Sequence, residues 1–134
     1  MASTPTGPGG PPVGSTNLGI APNIGGLLCY VPCCIGLVFS VVVAVVEKQS
    51  RFLRFHAFQS LLVHAAALVV LLASWLLSTI FAILNVGFLS LLMIPVQFAV
   101  GLAVLGIEIF LMIKAYNNEE YELPRVGQMA RQWV

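Results

Sequence analysis

Acidic and basic side chains are missing from two long stretches of this chain. No Asp, Glu, Lys or Arg occurs from Met1 to Val46, and none occurs from Phe55 to Ile107. A helix that crosses a bilayer needs about 20 consecutive apolar residues. The second stretch is too long for one crossing and suits two joined by a turn, for which Asn85-Val86-Gly87 is the best signal. Charged residues make up only 8% of the 134 residues and hydrophobic ones 59%, against roughly 25% charged in soluble domains. So few charges cannot cover a soluble globule, which sets aside a soluble enzyme. A net charge of +1 supplies no phosphate-tracking patch, which sets aside nucleic acid as a partner. The chain reads as an all-α integral membrane protein.

Three spans are expected, at about 24–46, 55–84 and 88–115, forming a three-helix bundle. Ahead of them residues 1–22 are rich in Gly, Pro, Ser and Thr and carry no charge. That composition cannot bury enough apolar surface to fold alone, so a disordered-type tail is expected. Pro32 lies inside the first span and is expected to kink it. Residues 116–134 are expected as a cytoplasmic or interfacial tail, with Tyr116, Tyr121 and Trp133 at headgroup level and a short interfacial helix after Pro124 as one reading.

The charges give the orientation. Lys48, Arg51 and Arg54 lie between the first two spans; Lys114, Arg125 and Arg131 lie at or beyond the end of the third. Three crossings put all six on one side, which the positive-inside rule makes cytoplasmic. The N-terminus is then expected outside and the C-terminus inside. Lys48, Arg51, Arg54 and Lys114 are placed to meet lipid headgroups at that interface.

Glu108 is the costliest residue. It lies six positions before Lys114, about 9 Å deeper along a helix. A carboxylate at the bilayer centre costs at least ~2.5 kcal/mol, and less nearer the edge. It should therefore face another helix or a wet crevice, or be protonated. His56, Ser60 and His64 recur every four residues on one helix face. Counting inward from Arg54 and Lys114 sets Glu108 level with about Ser60, so a polar seam of His56, Ser60, His64 and Glu108 is expected. A second reading makes His64, or His56, an axial ligand to a chlorophyll-type pigment, with Ser60 and Ala67 as a small-residue floor. Bound lipid is the other cofactor reading. Cys29, Cys33 and Cys34 have no acid or His beside them and read as small packing residues, so no metal site is expected.

The run from Val46 to Ser60 carries a resemblance. Leu28-Cys29-Tyr30-Val31-Pro32, then Phe52-Leu53-Arg54-Phe55-His56-Ala57-Phe58-Gln59, then Tyr121-Glu122-Leu123-Pro124 resemble the small prokaryotic membrane proteins grouped as Tic-twenty-like. That resemblance implies three or four membrane helices, a prokaryotic inner membrane and no established enzyme activity. Without a nucleophile–base pair, phosphate loop or ligand cluster, the leading expectation is a non-enzymatic accessory or scaffold subunit of a larger membrane complex. Pigment binding in a photosynthetic complex and a transport or translocation role are the alternatives.

Overall fold

The computed structural model describes residues 16–134; residues 1–15, most of the expected Gly/Pro tail, lie outside the described residues. Five helices follow in order: α1 (Pro22–Cys29), α2 (Cys34–Val46), α3 (Arg51–Ile83), α4 (Gly87–Tyr116) and α5 (Val126–Arg131). No strand occurs among the described residues.

The long pair α3 and α4 is the frame. At 33 and 30 residues they rise about 50 and 45 Å. Ser50 caps α3 by accepting the Leu53 N–H at 3.2 Å. α3 ends where Asn85 takes a left-handed φ of 56°. There the Val86 N–H bonds the Phe81 carbonyl and the Asn85 N–H bonds that of Ala82, a Schellman closure that satisfies the last carbonyls. α4 ends in the same way: Asn118 has φ 61°, Glu119 N–H reaches the Lys114 carbonyl and Asn118 N–H that of Ala115. Both helices are long and apolar enough to cross a membrane, and no residue in the most apolar window of either is buried within the chain. Pro95 sits inside α4 without breaking it.

The first expected span is not one kinked crossing. It is split at Tyr30–Cys33 into two short helices that form a re-entrant hairpin. α1 descends beside α3: Gly25 lies against Leu53, and the Cys29 carbonyl accepts from the Ser60 hydroxyl. α2 then returns along the same helix. Ser40 Oγ lies 3.0 Å from Ser60 Oγ, and Glu47 accepts the N–H of Ser50 at 2.9 Å. At 13 residues, α2 rises only about 20 Å, short of a crossing. Beside that return, the Asn17 N–H donates to Glu47 Oε2 and the Lys48 N–H donates to Asn17 Oδ1, both at 2.8 Å. The described start of the chain thus lies on the side of the α2–α3 loop and of Tyr116. In place of the three long helices expected, with the start and end of the bundle at opposite ends, the chain has two helices long and apolar enough to cross a membrane and a helical hairpin whose two ends lie at the same end of that pair.

Gly36 makes the hairpin possible. A Cβ there would lie 2.2 Å from the Val31 carbonyl oxygen and 2.8 Å from that of Cys29, so the α2 backbone passes directly over the end of α1. The core lies in the half of the α3–α4 pair that carries the hairpin: Cys29, Tyr30, Val43, Leu53, Ala57, Leu111 and Ala115 are solvent-inaccessible. Cys29 therefore packs as expected of it. Cys33 and Cys34 do not; they stand exposed at the hairpin tip.

Candidate functional site

The polar residues of α3 are distributed over three levels, each met by a different element. At the first level, Gln59 Nε2 donates to Tyr30 Oη at 3.1 Å, and Tyr30 Oη lies 3.2 Å from His56 Nδ1. The His56 ring is fully buried and edged by Tyr30, Phe52 and Phe55 at centroid distances of 5.7, 4.5 and 5.3 Å. Gln59 also donates to the Tyr121 carbonyl at 3.0 Å and accepts the Leu123 N–H at 3.3 Å. One carboxamide thus ties α1, α3 and the segment before α5 together.

At the second level Ser60 and Ser40 share the Cys29 carbonyl, which the break after α1 has left without a helical partner. At the third level His64 and Glu108 meet. His64 Nδ1 lies 2.9 Å from the Ser60 carbonyl and 3.2 Å from the Ser60 hydroxyl; that hydroxyl donates to the Cys29 carbonyl, so the proton of the Nδ1 contact is assigned to His64. Nε2 faces Glu108 Oε1 at 3.4 Å, with the two side chains 10% and 6% exposed. The partner of Glu108 is thus His64, one helical turn deeper than Ser60, and His56 belongs to the Tyr30 cluster instead.

This third level opens into an apolar groove of about 480 Å³ between the hairpin tip, α3 and α4. Pro32, Cys33, Ala67, Leu68, Gly101 and Leu105 are among its walls. The nitrogen of His64 that a pigment would need is the one turned toward Glu108. No group of three or more His, Cys, Asp or Glu arranged to hold a metal ion occurs among the described residues.

Of the four residues expected at headgroups, Arg54 and Lys114 are engaged within the chain. Arg54 donates to the Trp133 carbonyl at 2.9 Å, and Lys114 pairs with Glu119 at 2.7 Å. Lys48 and Arg51 stand exposed at the start of α3. Arg131 pairs with Glu120 at 2.9 Å and with Glu122, and its guanidinium lies 4.7 Å over Phe55. These contacts seat α5 on the end of α3.

Glu47, Tyr30, Gln59 and Ser40 carry the architecture; Tyr30 and Gln59 stood in the motifs quoted from the sequence, whereas Glu47 and Ser40 were not singled out. Glu47 is the most informative. Its carboxylate has no solvent-accessible surface, and that burial raises its pKa. The N–H groups of Ser50, Gln49, Asn17 and Leu18 outweigh burial and hold it below the ordinary carboxylate value. A lone acid three residues before the serine cap of a long helix was the available signal.

Three relatives place the chain. It is 33% identical to a UPF0132 membrane protein of Methanocaldococcus jannaschii over 90% of this chain and 96% of the relative. A UPF0132 membrane protein of Archaeoglobus fulgidus is 31% identical over 84% and 94%, and a second one of Methanocaldococcus jannaschii is 32% identical over 87% and 72%. No solved structure matches it. The resemblance to Tic-twenty-like proteins does not stand. It rests on Leu28 to Pro32, Phe52 to Gln59 and Tyr121 to Pro124, and these relatives together with the family profile overturn it. The family profile that matches, over residues 15–130, is that of the magnetosome magnetite crystal formation proteins, and the chain belongs to that MamF/MmsF family of membrane proteins.

Proposed function

We propose that the chain is a non-enzymatic accessory or scaffold subunit of a larger membrane assembly, acting through its membrane-embedded surface. The observation that carries this reading is the bareness of the long pair. No residue in the most apolar windows of α3 and α4 is buried within the chain, and Leu72, Trp75, Leu91 and Phe98 all point outward. The polar side chains at the other end are turned inward and bond one another. A surface built in that way suits association and not turnover. The positive-inside rule supports a cytoplasmic location for the side bearing Lys48, Arg51 and α5.

The family description, magnetosome magnetite crystal formation, supports a helper role in building something at a membrane. It does not point to a carboxylate surface for mineral here: Glu119, Glu120 and Glu122 are each engaged by Lys114 or Arg131. Placing a photoreactive phenylalanine analogue at Leu72 or Phe98 in native membranes tests the reading. Discrete protein adducts of fixed mass are expected after illumination. Adducts with lipid and nothing else would remove the subunit reading.

A further inference from the structure

We propose that the groove beside His64 and Glu108 is a binding site for a long-chain lipid that ends in a hydroxyl. Two features make it a built site and not a gap between helices. Its walls are apolar, and its size of about 480 Å³ lies within the range of small-ligand pockets, ~300–1,000 Å³. Its polar floor is a pair of side chains each about nine-tenths buried, one of which, His64, leaves Nε2 without a hydrogen-bond partner.

Counting donors and acceptors selects the headgroup. His64 Nδ1 donates: the Ser60 carbonyl it meets can only accept, and the Ser60 hydroxyl, 3.2 Å from it, gives its one proton to the Cys29 carbonyl. In the neutral ring Nε2 is then an acceptor. Glu108 offers one O–H when neutral and none when ionised. If the proton moves to Nε2, the carboxylate still has oxygen lone pairs in excess of that one donor. Each protonation state therefore leaves acceptors unfilled at the groove floor. A hydroxyl fills one of them, and an apolar chain behind it fills the groove. A ketone or ester head, which brings acceptors alone, matches less well.

Cys33 shapes the rim in a costly way. It adopts φ 70°, ψ −158°, a region almost reserved for glycine, and such residues collect at ligand clamps. Across from it Gly101 leaves the wall open: an added Cβ there meets nothing within 4 Å. The same is true of Gly106, which does not line the groove. The two glycines form a matched pair for testing.

The full chain in phosphatidylcholine nanodiscs is illuminated with a diazirine-bearing hexadecanol, or with its methyl ether. Adducts are mapped by mass spectrometry. Alcohol adducts are expected on the hairpin tip and on Gly101–Glu108. They should fall to background in Gly101→Phe and persist in Gly106→Phe. Loss of one donated hydrogen bond, worth roughly 1 kcal/mol, should make the ether label about five-fold less in the wild-type chain. Equal labelling by alcohol and ether would overturn the proposal without recourse to any variant. So would adducts that survive in Gly101→Phe.

Discussion

Gly36→Ala is expected to unseat the re-entrant hairpin. In an open helical position the change is favourable by up to about 1 kcal/mol, since alanine restricts the unfolded chain and suits the helix. At Gly36 the new methyl would sit 2.2 Å from the Val31 carbonyl oxygen and 2.9 Å from its nitrogen. These are backbone atoms and cannot swing aside as a side chain could. Overpacking of this kind costs ~1–3 kcal/mol, and the rigidity of the obstacle places it at the upper end. The sign is thus reversed from the helix rule. A detergent unfolding series should show Gly36→Ala destabilised by about 2 kcal/mol or more. Gly106→Ala, where a Cβ meets nothing, should be neutral or stabilised. If both variants behave alike, α2 does not cross the end of α1 at that distance.

Glu47→Gln is expected to release the start of the chain and to remove an acid-sensitive share of stability. Glu47 Oε1 accepts the N–H groups of Gln49 and Ser50, and Oε2 accepts that of Asn17. A carboxamide keeps one acceptor and turns an NH₂ against a buried donor. Hydrogen bonds to a charged group are worth ~1.5–3 kcal/mol, so a loss of about 2 kcal/mol at neutral pH is expected. The direction with pH follows from the lowered pKa. The unfolded chain holds this proton more tightly than the folded one, so the contribution is complete above the unfolded value near 4.5 and is lost as pH falls through the lower folded value. Wild type and variant should therefore differ at pH 7 and converge as the pH drops well below 4.5. Hydrogen exchange of the Asn17 amide should rise in parallel. A pH-independent difference would assign the effect to packing instead of charge.

Much of the long pair was legible in the sequence. The charge-free run from Phe55 to Ile107 required two helices, and Asn85, able to take the left-handed conformation, marked their turn. Burial of Glu108 against a histidine followed from the cost of a carboxylate in lipid. Its register did not, because counting from Arg54 and Lys114 assumed that the two helices start level. The hairpin was hidden for a physical reason. Hydropathy reports residence in the membrane and not direction of travel, so 23 apolar residues read the same whether they cross or re-enter. The positive-inside rule could not correct this. Residues 1–22 bear no charge, so the six basic residues fall on one side in either arrangement. The signal that was present is Gly36, four residues beyond Pro32: a glycine where a returning helix passes close over the end of the first.

The side of the membrane on which α1 begins therefore decides between the two arrangements. Single cysteines at Ala21, Asn85 and Gln132, each at an exposed position, can be introduced into a chain whose exposed Cys33 and Cys34 are replaced by alanine. Sealed vesicles of known orientation are then treated with a membrane-impermeant maleimide. Two crossings with a re-entrant hairpin predict that Ala21→Cys and Gln132→Cys react from the same side and Asn85→Cys from the other. Reaction of Ala21→Cys from the side of Asn85→Cys would make the first apolar segment a true span and contradict the fold described above.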